Sequence, residues 1–200
     1  MPRFTEFDFG VSWVMGFFHQ DWIHDGDTAA DVVAKHLAAS DDEAALAVRR
    51  DASMLGSLPS ETLEVLWDAG ADYLPSFERL GGGAEWTRTL VDLCDARLAA
   101  DTDVRPLTGA DAEEGTGCRD AVVAEIRATR FLEAEVRDAL VDCACQCAPD
   151  LAFRILLRAM SSAPDASLSS AQYTRLEAIG SALQYGEFLV DFVRYLVEQD

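Results

Sequence analysis

Three cysteines stand close together in the run Cys143-Ala144-Cys145-Gln146-Cys147. Thiolates are good ligands for soft metal ions, so this run is the first place to look for a metal site. In a helix, however, Cys143 and Cys147 share one face while Cys145 points elsewhere. A structural zinc site uses a Cys-x-x-Cys pair and a second pair, and the chain has neither. We therefore predict no metal site and interpret the cysteines as small buried apolar side chains.

The chain has three histidines, the residues best suited to acid-base chemistry near neutral pH. His36 lies on the apolar stripe of a predicted helix, which is typical of a histidine packed in or at the edge of a core. His19 and His24 stand beside Asp21 and Asp25 and imitate a metal or acid-base cluster. Their spacing matches no ligand or catalytic motif. An enzyme that uses these two histidines stays an alternative, which their replacement by alanine would test.

The run Gly81-Gly82-Gly83 resembles a phosphate-binding loop only superficially. No Gly-Lys-Ser/Thr follows it and no strand precedes it, so we expect a flexible connection between two helices. The chain also lacks the Gly-x-Ser-x-Gly motif of serine hydrolases. We predict no catalytic residues and no cofactor, and we expect the protein not to be an enzyme.

The elements that carry these residues are predicted to be helices nearly throughout, because apolar residues recur at helical spacing and no alternating β-branched run is found. Thr28 is a predicted N-cap, and Ser40 with Glu43 forms a predicted capping box. The segment from Leu151 to Met160 is apolar nearly all round and is predicted to be a central buried helix. The clearest stripe predicts a final helix through Phe188, Leu189, Phe192, Val193, Leu196 and Val197.

The fold class is therefore predicted to be all-α, a helical bundle of two packed subdomains. Residues 99–117 lack periodicity and are rich in Asp, Glu, Gly and Pro, which is typical of a linker or long exposed loop. We place a first helical domain at residues 1–100, an acidic linker at 101–116 and a second helical domain at 117–200.

The charge of the chain excludes several classes of partner. It has 36 acidic and 16 basic side chains and a formal net charge of −20. A nucleic-acid backbone or an anionic membrane surface would be repelled, so we predict neither partner. No apolar run is long enough to span a bilayer, and the first residues do not resemble a signal peptide. Five cysteines, an odd number, argue against a disulfide framework, so a cytoplasmic location is predicted.

Both halves share the acidity, since residues 1–100 carry 18 acidic and 7 basic side chains and residues 101–200 carry 18 and 9. Such surfaces suit a basic protein partner, because opposite potentials speed encounter and reject wrong partners. Nucleases are basic proteins of this kind. The candidate partner-binding residues are acids expected in exposed loops and helix caps: Asp25, Asp27, Asp41, Asp42, Glu43, Glu78 and Glu85.

Several motifs in order resemble a known family. Phe18-His19-Gln20-Asp21-Trp22 precedes the helix that opens at Thr28, Gly70-Ala71-Asp72-Tyr73-Leu74-Pro75 follows, and Glu85-Trp86 begins a later helix. Over residues 4–98 this order is similar to that of contact-dependent growth inhibition immunity proteins. Thr87 stands where the family pattern has leucine, and the triple glycine resembles a local insertion.

The resemblance implies an all-α protein that is not an enzyme and that binds one toxin domain in the cytosol and blocks it. In such systems the toxin is often a nuclease delivered between neighbouring bacteria. Residues from Glu133 to Leu183 resemble the immunity proteins paired with Maf-type adhesin toxins, which implies a tandem of two modules. The alternatives are a single larger bundle for the fold, and an acidic regulator or chaperone of a basic client for the function.

Overall fold

The computed structural model describes residues 3–198, and it confirms the all-α prediction for that part of the chain. Its α-helices are α1 (Gly10–Met15), α2 (Ala29–Ala38), α3 (Asp42–Leu55), α4 (Ser60–Gly70), α5 (Phe77–Leu80), α6 (Gly83–Leu98), α7 (Arg119–Ala128), α8 (Ala134–Asp142), α9 (Pro149–Ser162), α10 (Ser170–Ala182) and α11 (Glu187–Asp191). Cys143–Cys147 is π-helical, and short 3₁₀ turns span Trp22–His24, Gly109–Ala112, Thr116–Cys118 and Arg194–Leu196. No helix among these residues is long and apolar enough to cross a membrane.

The chain divides into two compact units. The early unit is Phe9–Leu107, and the composite unit joins residues 3–8 to residues 108–198. The sequence placed the first residues with the first domain, whereas they contact the later half. Part of the predicted linker also belongs to the composite unit, because Ala110 is buried and the Asp111 carboxylate accepts a hydrogen bond from the Phe4 amide at 3.1 Å.

The core of the early unit forms around α6, which packs against α2, α3 and α4, while α1 packs on α3. Aromatic side chains dominate its centre. Trp67 of α4 and Trp86 of α6 are buried with ring centroids 5.8 Å apart, and Phe18 meets Trp86 edge-on at 5.9 Å. Edge-to-face contacts of this kind add stability beyond the burial of apolar area.

The N-termini of α2 and α3 show how local sequence sets helix boundaries. Thr28 caps α2 in a full capping box with Asp31, as predicted. The prediction that Ser40 caps α3 is wrong, because its hydroxyl donates to the Leu37 carbonyl at the end of α2. Asp41 caps α3 instead, and its carboxylate accepts the Ala44 amide at 2.9 Å.

The composite unit is organised around α9, which contacts α7, α8 and the π-helical run. Its residues 149–157 are all buried, which agrees with the predicted central helix. The predicted long final helix is wrong: α11 ends at Asp191 and a 3₁₀ turn follows. The cause is a tertiary contact. The Leu168 amide donates to the Leu196 carbonyl, and the Glu198 amide donates to the Leu168 carbonyl, each at 2.9 Å. These bonds are incompatible with a helix that continues through Val197.

Candidate partner-binding surface

All seven predicted partner-binding acids lie in the early unit. Two are half-buried, and the other five are exposed as expected. The half-buried ones are Asp25 and Asp42; the exposed ones are Asp27, Asp41, Glu43, Glu78 and Glu85.

The helix α6 separates these acids into two groups. Asp42 forms an ion pair with Arg97, near the C-terminal end of α6, at 3.2 Å. Glu85 lies in the first turn of the same helix. Twelve residues of α-helix span about 18 Å, so Asp41, Asp42 and Glu43 are far from Glu85. The structure therefore presents the predicted acids as two patches.

The other acids lie on α5, on the first turn of α6 and on the loop before α2. Glu78 is on α5, directly before the glycine run that opens α6. The loop of residues 19–28 is held nearby through an aromatic chain, because Trp22 contacts Phe18 at 5.7 Å and Phe18 contacts Trp86. We call Asp25, Asp27, Glu78 and Glu85 the loop patch. We call Asp41, Asp42 and Glu43 the cap patch.

The cap patch is largely committed to internal contacts. Arg97 donates to the Leu37 carbonyl at 3.2 Å and to the Ser40 carbonyl at 3.1 Å, and it pairs with Asp101 as well as Asp42. A cation at the C-terminal end of α2 is favourable because the last carbonyls of a helix carry partial negative charge. The Asp42 carboxylate therefore closes a structural network, and Asp41 is the α3 cap.

The two carboxylates on Arg97 titrate differently. Partial burial raises the pKa of Asp42, and the adjacent Asp101 carboxylate raises it further. Hydrogen bonding to Arg97 lowers the pKa of Asp101. Two carboxylates that share one guanidinium do not lose their protons independently, and Asp42 is the one that keeps its proton to higher pH.

The loop patch combines charge with an exposed apolar side chain. Ile23 is 63% exposed in the middle of the acidic loop. Asp25 pairs with Lys35 at 2.8 Å and with His19 Nε2 at 3.8 Å. The hydrogen bond and positive charge of Lys35 lower the pKa of Asp25. The loop of residues 19–28 therefore offers an exposed apolar side chain close in sequence to Asp25, whose ionised form is favoured by Lys35.

The carboxylate side chains of three of the seven acids have no hydrogen bond or ion pair within the part of the chain that the structure describes. They are Asp27, Glu43 and Glu78. Glu85, in contrast, pairs with Arg88 three residues on. An acid without an internal partner meets an incoming cation without first giving up a contact, so Asp27 and Glu78 are the strongest binding candidates of the loop patch.

The residues with potential for catalysis or metal binding are dispersed. No group of three or more His, Cys, Asp or Glu side chains within residues 3–198 is arranged to hold a metal ion. Cys143 is buried as expected, but Cys145 is exposed on the π-helical turn. His36 is half-buried and stacks on Phe17 with centroids 4.0 Å apart, and burial lowers its pKa. His19 and His24 are exposed.

The glycine run is a tight packing element, where the sequence predicted a flexible connection. The Gly83 amide donates to Glu64 Oε1 at 2.9 Å, and the Ala84 amide donates to Ser60 Oγ at 3.0 Å. A Cβ at Gly83 would lie 2.6 Å from the Ser60 carbonyl oxygen. The first amides of α6 are thus bonded to α4, and the run holds α4 and α6 together.

The composite unit holds a buried ionic cluster that was not predicted from the sequence. Asp150 is fully buried at the start of α9, and it bonds Arg154 at 3.2 Å, Arg3 at 3.4 Å and the Tyr185 hydroxyl. Burial raises the pKa of Tyr185, and the nearby Asp150 charge raises it further. An acid and an arginine four residues apart in a largely apolar helix are the signal that could have revealed part of this cluster.

Comparison of the chain with protein-family models, characterised proteins and solved structures found no match.

Proposed function

We propose that the protein is an immunity protein that binds a basic, nuclease-type toxin domain and neutralises it by stoichiometric occlusion. The early unit supplies the contact through its loop patch. The proposal rests on the resemblance of residues 4–98 to contact-dependent growth inhibition immunity proteins and on the formal charge of −20.

One structural observation supports this proposal most directly: exposed Ile23 lies within the acidic loop, and Glu78 and Glu85 belong to the same end of α6. Protein interfaces combine an apolar centre with a polar rim. A nuclease carries a cationic cleft because it binds phosphate, and a rim of carboxylates complements such a cleft. The apolar side chain supplies contact area that charge alone does not.

The proposed mechanism needs no chemical step. Long-range attraction brings the toxin to the loop patch, and salt above about 0.1 M screens that attraction. The bound chain then covers the cleft or a surface next to it and excludes the substrate. Each molecule of the protein occupies one toxin domain and does not turn over.

The proposal predicts that a toxin domain is encoded beside this chain, and the test uses that domain. Nuclease activity is titrated with the full-length protein, and we expect it to fall to zero at one molar equivalent. The double variant Asp27→Lys/Glu78→Lys is expected to slow association by about tenfold or more at low salt, because each substitution turns an attraction into a repulsion. Neither substitution removes a side-chain hydrogen bond or ion pair among residues 3–198.

A matched control reverses two exposed acids of the composite unit, Asp138→Lys/Asp142→Lys, so that both variants have the same net charge. Association that slows equally in the two variants would show that only net charge matters and would contradict the loop patch. A complex in which the nuclease stays fully active would instead support the alternative, an acidic regulator or chaperone of a basic client.

A further inference from the structure

The composite unit exposes four aromatic side chains, Phe7 and three that lie within residues 188–195. Phe7 is 64% exposed, Phe188 45%, Phe192 42% and Tyr195 67%. Phe7 and Phe188 are stacked with ring planes 8° apart and centroids 5.1 Å apart. We call these four residues the aromatic row. Contiguous exposed apolar surface of this kind marks an interaction site more often than scattered apolar residues do.

The geometry of the segment explains why these rings face outward. Phe188 in α11 and Phe192, the C-cap residue of that helix, are four residues apart and project from the same side. The opposite face is buried through Leu189, Val190 and Val193. The segment is therefore already anchored to the composite unit, and its exposed face is additional to the core.

The N-terminal residues extend the row. Glu6 lies directly against Gly186, since a Cβ at that glycine would come within 2.5 Å of the Glu6 Cβ. This contact places Phe7 on Phe188 and brings an exposed carboxylate beside the stacked rings. Glu187 and Asp191, both exposed on α11, add two more carboxylates, of which Asp191 pairs with the exposed Arg194 at 3.4 Å.

Charge decides which partner fits this surface. A second copy of the chain would bring another formal charge of −20, and like charges oppose that association. An arginine side chain is attracted both by the carboxylates and by the negative face of an aromatic ring. The protein already makes this contact internally, where the Arg158 guanidinium lies 5.4 Å from the centroid of Phe192.

We propose that the aromatic row binds an arginine-bearing basic segment of a partner protein. This surface belongs to the composite unit and includes no residue of the loop patch. The protein would then offer two separate contacts to basic partners, one on each unit.

The test measures binding of a labelled tetra-arginine peptide and a tetra-lysine peptide to the full chain by fluorescence anisotropy. Arginine stacks on rings better than lysine does, so we expect about fivefold tighter binding of the arginine peptide. The variant Phe188→Ser/Tyr195→Ser is expected to bind both peptides equally. The control Tyr73→Ser removes a ring that is 51% exposed in the early unit and should keep the preference.

None of these substitutions changes the net charge, so general electrostatic attraction is the same in all samples, and circular dichroism checks that each variant is folded. Equal binding of the two peptides by the unaltered chain, or an unchanged preference in the double variant, would overturn the proposal. So would a dimer in sedimentation that the double variant abolishes, because the row would then bind a second copy. If the aromatic row fails this test, toxin inhibition through the loop patch is unaffected. The two proposals can therefore be distinguished.

Discussion

The two units are both acidic, yet they use charged side chains in different ways. In the early unit most ion pairs are at the surface, as between Lys35 and Asp25 or between Arg49 and Asp95. In the composite unit Asp150 is enclosed with Arg3 and Arg154, and the three side chains are at most 2% exposed. Charge in the early unit is accessible to a partner, whereas this buried charge in the composite unit serves the fold.

The early unit also has a buried acid, and the contrast is informative. Asp51 accepts the Val11 amide at 3.0 Å at the beginning of α1, and its ion-pair partner Arg50 is half-buried. This carboxylate stabilises the N-terminal end of α1, 40 residues away in sequence. Asp150 instead ties α9 to Arg3, which is 147 residues away in sequence. The buried acid of the composite unit therefore depends on the far end of the chain.

We expect the largest effect from a substitution that breaks this buried cluster. Asp150→Ala leaves Arg3 and Arg154 buried without their shared acid, and removing one member of such a pair costs about 3–5 kcal/mol. All four tryptophans are in the early unit, so urea unfolding followed by far-UV circular dichroism should shift more than unfolding followed by tryptophan fluorescence. The control Asp142→Ala alters an exposed acid and should change little. A loss below about 1 kcal/mol would mean that the cluster is not a structural support.

The free energy of unfolding of the early unit should depend more on packing than on charge. Gly83→Ala places a methyl group against the Ser60 carbonyl, and we expect the free energy of unfolding to fall by about 1–3 kcal/mol. Gly56→Ala is the matched control, because its nearest neighbour would lie at an ordinary 3.4 Å. Tryptophan fluorescence is the appropriate measurement, since Trp67 and Trp86 pack beside this junction. Equal stability of the two variants would refute the tight α4–α6 contact.

We expect the smallest effect when the titration of Asp25 in the loop patch is compared with that of Asp42 in the cap patch. Lys35 lowers the pKa of Asp25, so its ionised form adds stability that is lost as the pH falls through that lowered value. Asp42 behaves oppositely: its raised pKa contributes stability at low pH, and this is lost as the pH rises through the raised value. Carboxyl carbon shifts followed by NMR should place Asp25 below and Asp42 above the ordinary aspartate value. Identical midpoints would contradict the assigned contacts.

Local patterns predicted much of the fold. The Thr28 cap and the buried α9 follow from caps and periodicity within a few residues. The errors arise where distant segments meet. The final helix is interrupted because Leu168 pairs with the chain near Leu196, and no local pattern near Phe192 signals that contact.

The sequence predicted that the candidate site is acidic, but it did not predict how the acids are arranged. The sequence indicated that the acids belong to loops and helix ends, and five of the seven are exposed. It did not show that Arg97 engages Asp42, or that Asp27 and Glu78 have no internal partner within the described residues. These differences depend on which helices pack together. Surface composition predicts the sign of a patch, and only the tertiary structure shows which of its charges are available.

The most direct test of the central claim is growth rescue. Cells that express the neighbouring toxin domain are given the full chain, the variant Asp27→Lys/Glu78→Lys or the control Asp138→Lys/Asp142→Lys, all at equal soluble levels. We predict that the unaltered chain and the control restore growth, and that the loop-patch variant restores it poorly or only at higher expression. No rescue by the unaltered chain, with the protein shown to be folded, would contradict the immunity function.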